Sequence, residues 1–363
     1  MAARLRGSWT IALPVLAFIV LLVTWQRSLP LVLTVVVGLV LIGAVLMAVH
    51  HAEVVAHRVG EPFGSIVLAV AVTIIEVALI ITLMLSGKPG TESLARDTVF
   101  AAVIITCNGI VGLALLLGSI RHGIPRFNPE GTGAALGIVA TLTTLTLVLP
   151  TFTTTVAEPE FSASQLVFVA IAALVLYGGF IYTQTGRHRE FFLPVTEGGK
   201  VIDGDDHATP PTVKAALLSL GMLLVSLVAV VGLAKTISPA IEAGVASAGI
   251  QNSFVGVVIA LLVLLPEGIA ASRAALRNRV QTSLNLAFGS AMASIGLTIP
   301  AIAVASIWLP GRLVLGLGPV QLVILILTVA VATLTVVPGR ATRLQGLVHL
   351  VIFGAFIFLA IKP

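Results

Sequence analysis

Charge is what this chain has least of. Only 10% of its 363 residues are Asp, Glu, Lys or Arg, while 58% are hydrophobic. Soluble domains carry about 25% charged residues, so a water-soluble binding protein is excluded. Runs of helix length that satisfy their own backbone are what lipid tolerates. The composition is therefore that of an all-α polytopic membrane protein. Cysteine is nearly missing too: Cys107 stands alone inside an apolar run, which rules out an internal disulfide. The net charge of +5 is no nucleic-acid signal, because the basic residues lie in short loops, where they report orientation. No small-residue cleavage pattern follows Arg4 and Arg6. The first apolar run thus reads as an uncleaved helix rather than a signal peptide.

What is present is a series of about 11 apolar spans: roughly 10–26, 30–50, 64–86, 98–119, 132–150, 164–184, 214–234, 248–272, 281–302, 318–337 and 344–361. Each approaches the ~20 residues that a transmembrane helix needs. The stretch Ile307–Gly318 has room for a short extra turn. With the N-terminus cytoplasmic, fourteen of the 20 lysines and arginines fall on the inner side. That bias predicts N-in and C-out. The long polar stretch Thr185–Thr212 is then cytoplasmic, and its Asp203, Asp205, Asp206 and His207 lack the spacing of a calcium loop. It reads as a solvated linker.

Segments on either side of that linker repeat. VATLT occurs at Val139–Thr143 and again at Val331–Thr335, 192 residues apart, and Glu76 precedes Glu267 by 191. LVLYGGFIY at Leu174–Tyr182 is echoed by LVIFGAFIF at Leu350–Phe358. Two homologous halves follow: an N-terminal helix in 1–29, five-helix repeats in 30–184 and 214–363, and the linker 185–213 between them. An odd number of spans per repeat inverts the second copy.

Of the 15 acidic residues, Glu76 and Glu267 are the ones deep inside spans. A carboxylate at membrane depth faces a cavity or a partner. No lysine or arginine accompanies either one, so protons or cations must neutralise them. A carboxyl group out of water takes a proton unless a cation replaces it. Competition between the two is a physical basis for exchange. Pro266 removes a helical hydrogen bond just before Glu267 and Gly268 loosens the backbone after it, which suggests a helix broken at the site. Oxygen ligands suit hard cations such as calcium or sodium. Thr73, Asn108, Ser290 and Ser294 are candidates to complete the shell, with Thr106, Asn285 and Thr298 behind them. Serine and threonine often bond back to their own helix instead. A proton antenna is suggested by His50, Glu53, His57 and Glu61, spaced three, four and four apart on one helical face. Histidine titrates near neutrality, so this stripe at the cytoplasmic mouth is a candidate pH sensor; a wet helix end is the plainer alternative.

The motifs resemble those of the cation/proton antiporters of the calcium/cation antiporter superfamily, ChaA type, and are similar to the calcium/proton exchangers. Glu267, the triplet Arg277-Asn278-Arg279, Gly289-Ser290 and Pro300 match the second repeat of that family. Glu61, Gly64 and Glu76 match the first, and Asn108 matches an asparagine of the helix that follows. The chain departs from the family at Val72-Thr73, where Gly-Asn is usual, at Val103-Ile104, where Gly-Ser is usual, and at Ala293, where glutamine is usual. The resemblance implies a secondary transporter of a bacterial inner membrane, with Glu76 and Glu267 as cation and proton ligands. It implies exchange of calcium first, with sodium or potassium as the alternative, no cofactor, and lipid, cations and protons as partners, with a homo-oligomer open. A channel would need a continuous polar path, whereas these polar positions cluster at one depth. An intramembrane enzyme would need a nucleophile or metal set that is missing at that depth.

Overall fold

The computed structural model describes residues 2–27, 29–60, 63–85, 90–156, 159–194, 210–251, 253–309 and 311–362. Glu61 and the linker residues Asp203, Asp205, Asp206 and His207 lie outside them. The described residues form α1 (Ala2–Thr24), α2 (Leu31–Val59), α3 (Phe63–Met84), α4 (Leu94–Ile104), α5 (Val111–His122), α6 (Pro129–Thr143), α7 (Ala163–Thr185), α8 (Val213–Ser247), α9 (Phe254–Leu276), α10 (Val280–Ala305), α11 (Pro319–Val336) and α12 (Arg343–Ile361). A π turn, Ile105–Ile110, joins α4 to α5, so the two make one membrane-length helix. Among the described residues, ten helices are long and apolar enough to cross a membrane, and Trp9–Thr24 is a shorter apolar one. The chain is an all-α integral membrane protein.

Two helices are more continuous than their prolines suggest. The expected break at Pro266 is absent: α9 runs unbroken from Phe254 to Leu276. Likewise α8 continues through Pro239 to Ser247, well beyond the predicted end at 234. Proline is tolerated inside membrane helices because packed neighbours hold the backbone where one internal bond is lost. The interior is lined by small and branched side chains, and the most enclosed helices are α4–α5 and α10.

No helical turn forms between Arg312 and Gly318; the segment is a strap instead. Val314 N–H donates to Glu92 O (3.1 Å), Gly316 N–H to Pro159 O (2.9 Å) and Leu317 N–H to Leu147 O (2.9 Å). Arg312 pairs with Glu160 at 2.8 Å, and Leu315 and Leu317 are buried. A second, shorter clasp lies between α5 and α6, where Phe127 N–H donates to Gly339 O and Ala341 N–H to Pro125 O. Both bring the loop before or after α11 onto segments far earlier in the chain.

Candidate cation site

The cavity that matters lies between α3, α7, α9 and α10. It encloses about 160 Å³ and is lined by Thr73 and Glu76 of α3, Glu267 of α9, and Asn285, Ser290 and Ser294 of α10. That is room for a dehydrated cation with a few waters. Gln184 and Tyr177 of α7 also border it. The wall of α7 comes close because Gly296 leaves space: a Cβ there would sit 2.8 Å from the Cβ of Tyr177.

The two carboxyl groups are held differently. Glu76 is buried, and each of its oxygens accepts a hydrogen bond from α10: Ser294 Oγ donates to Oε1 at 2.6 Å, and Thr298 Oγ1 to Oε2 at 3.1 Å. Ser294 and Thr298 stand one turn apart, so one helical face presents both hydroxyls. Glu267 Oε2 is buried with no hydrogen-bond partner among the described residues. It lies within the field of Glu76 and of Glu53. An orphaned carboxylate oxygen in a cavity whose walls are otherwise mostly apolar is chemically suited to a cation or a proton.

A family model described as sodium/calcium exchanger protein matches residues 29–186 and 218–362. The chain belongs to the sodium/calcium exchanger family. It is 46% identical over 362 residues to y4hA of Sinorhizobium fredii, which carries the name of an ionic transporter, covering 98% of this chain and 96% of that one. It is 34% identical over 348 residues to the sodium-potassium/proton antiporter ChaA of Escherichia coli, covering 95% and 93%. The solved H+/Ca2+ exchanger CAX has the same fold, with a TM-score of 0.72 at 15% identity, over 99% of this chain and 93% of that one. As a family of ion exchangers, its members move ions across membranes.

Several residues expected at the site lie elsewhere in this exchanger. Asn108 does not line the cavity. Its Nδ2 donates to Thr328 Oγ1 at 2.8 Å and its Oδ1 is 3.0 Å from His349 Nδ1. His349 Nε2 in turn lies 3.1 Å from Thr335 Oγ1. Both residues are fully buried, so this network satisfies an amide and an imidazole on the side of α4–α5 that faces α11 and α12. Thr106 bonds back to Ala102 O at 2.8 Å. Asn285 reaches the cavity, but its Nδ2 donates to Phe192 O at 2.6 Å and its Oδ1 accepts from Gln281 at 2.8 Å. His50, Glu53 and His57 lie on one continuous helix, with Glu53 and His57 exposed and His50 half-buried, while Glu61 lies outside the described residues. Glu53 also feels the charge of Arg273. His51 turns away, its Nε2 2.9 Å from Thr10 O.

Sequence reasoning missed His349, Gln281 and the α7 wall. The first two were legible as polar side chains in apolar surroundings, which need partners. Tyr177 and Gln184 carried no signal beyond their place in a span.

Proposed function

We propose that this exchanger trades an alkali cation, sodium or potassium, for protons at a site built on Glu76 and Glu267. The observation that carries the reading is the convergence of both carboxyl groups on one cavity, with Glu76 oriented by Ser294 and Thr298. Thr73, Ser290 and Ser294 offer neutral oxygens around them. A cation entering that space displaces the protons that otherwise neutralise the pair, and its departure lets them return. Inverted five-helix halves in 30–184 and 214–363 would bring the two glutamates together from opposite sides of the membrane. The bacterial sources of the relatives support an inner-membrane location, and the loop charges support N-in and C-out.

The choice of cation rests on what lines the cavity. Two departures from the family pattern, Val72 and Ala293, face directly into it. Val72 puts a branched side chain where the family has glycine, and Ala293 puts a methyl where it has glutamine, so the cavity lacks an oxygen that calcium, with its 6–8 ligands, would use. The sodium-potassium/proton name of the E. coli relative points the same way. Calcium, first in the sequence reading, is the second here, favoured by two carboxylates that can balance two charges. Everted vesicles offered sodium, potassium and calcium separately decide between them. Proton efflux with calcium alone overturns the alkali reading, and cation flux that neither saturates nor moves protons overturns exchange itself.

A further inference from the structure

Away from the cation site, two apolar crevices meet at one charge. The first, about 310 Å³, runs between α2, α3, α8 and α9 past Gly38, Leu79 and Leu262. The second, about 480 Å³, runs between α1, α3 and α8 past Leu21 and Val228. Thr82 and Lys235 border both. The polar walls are otherwise spent: Thr82 Oγ1 donates to Ala78 O at 2.6 Å, and Ser238 Oγ to Glu242 Oε1 at 2.8 Å. Lys235 is exposed, and its ammonium stands over the Trp25 ring, 5.7 Å from the centroid. Tryptophan and lysine side chains gather at the headgroup level of a bilayer. From that level both crevices run inward along walls as apolar as an acyl chain.

We propose that these crevices form one binding site for an anionic phospholipid, with its phosphate on Lys235 and its chains in the two grooves. Each crevice is of the size that takes a hydrocarbon ligand, about 300–1,000 Å³. Charge complementarity selects the headgroup. A zwitterionic lipid brings its own cation to the phosphate, whereas an anionic lipid leaves the phosphate to the lysine. Glu242, two turns further along α8 and engaged by Ser238, sets the outer limit of the site. Leu79 follows Glu76 by one turn, and Leu262 precedes Glu267 on α9, so the bound chain lies against both helices that carry the cavity carboxylates.

The test is lipid retention by the intact protein, independent of transport. The protein is equilibrated in nanodiscs of phosphatidylcholine and phosphatidylglycerol, released, and its retained lipids are counted by native mass spectrometry. Wild type should hold phosphatidylglycerol over phosphatidylcholine by about fivefold, the preference one lysine gives at a charged surface. Lys235→Gln should bring that ratio to near one, and Lys235→Arg should keep it. Gly38→Leu fills open space, since a Cβ there meets nothing within 4 Å; it should lower retention of both lipids. Equal retention in wild type and Lys235→Gln, or competition by soluble glycerol phosphate, overturns the proposal. Retention with transport lost would count against the exchange reading alone.

Discussion

Glu76 and Glu267 look equivalent in the sequence, each a lone carboxylate in an apolar run, yet their surroundings differ. Glu76 is fixed from α10 by two hydroxyls, one on each oxygen. Glu267 leaves Oε2 without a partner, and Pro266 beside it lacks the N–H that would have completed the helix. One carboxyl is held in a single orientation; the other keeps a free oxygen. On the exchange proposed above, Glu76 is the fixed ligand and Glu267 the one that turns between ion and proton. The difference comes from α10, whose serine and threonine donate across the cavity, whereas Thr106 of the π turn spends its hydroxyl on its own helix. Two carboxyl groups that look alike in the sequence thus make an unequal pair.

The largest test of that inequality removes each charge. Glu76→Gln and Glu267→Gln should each reduce exchange to background in vesicle flux assays while both proteins reach the membrane. Full exchange in either variant would refute competition at a shared site. Next, Ser294→Ala and Thr298→Ala should weaken apparent cation affinity by about tenfold each, the worth of a hydrogen bond to a charged group. Ser290→Ala should do less, and equal losses at all three would erase the distinction between a fixed and a free carboxyl. If cation and proton compete as proposed, apparent affinity in the wild type should improve as pH rises. Ala293→Gln adds an oxygen to the cavity and should shift preference toward calcium by about two- to tenfold, read as the ratio of calcium to sodium affinity.

Asn108 supplies a contrasting control, since its amide belongs to another network. Asn108→Ala and His349→Ala should lower thermal stability by about 1–3 kcal/mol, the cost of a buried polar group left unpaired, with cation affinity nearly unchanged. A large affinity loss without destabilisation would restore Asn108 to the cation shell. The smallest effect expected is at the histidine stripe. If protonated His50 and His57 hinder cation entry at acid pH, His50→Gln with His57→Gln should move the midpoint of the pH profile and leave its alkaline plateau intact. An unmoved midpoint would make the stripe a wet helix end.

The spans and both glutamates were legible because hydrophobic runs and isolated charges are local signals. Where side chains turn is not local. Asn108 could not be assigned to a face from its spacing, since a π turn resets the helical register and its partner His349 is far along the chain. Pro266 advertised a break that neighbouring helices suppress. The strap at Arg312–Gly318 had no periodicity to read, because its hydrogen bonds run to segments far earlier in the chain. Ser294 and Thr298 were candidates, but only packing reveals that they serve Glu76 rather than their own carbonyls.

That strap also bears on how the protein is made. The carbonyls of Glu92, Leu147 and Pro159 receive their donors from Val314, Gly316 and Leu317. A ribosome delivers those donors only after α10 has been synthesised. The early helices therefore enter the membrane with these ends unclasped, and a late segment closes over them. Two fragments cut at the linker should accordingly assemble when co-expressed, while the first fragment alone should be cleared by membrane proteases.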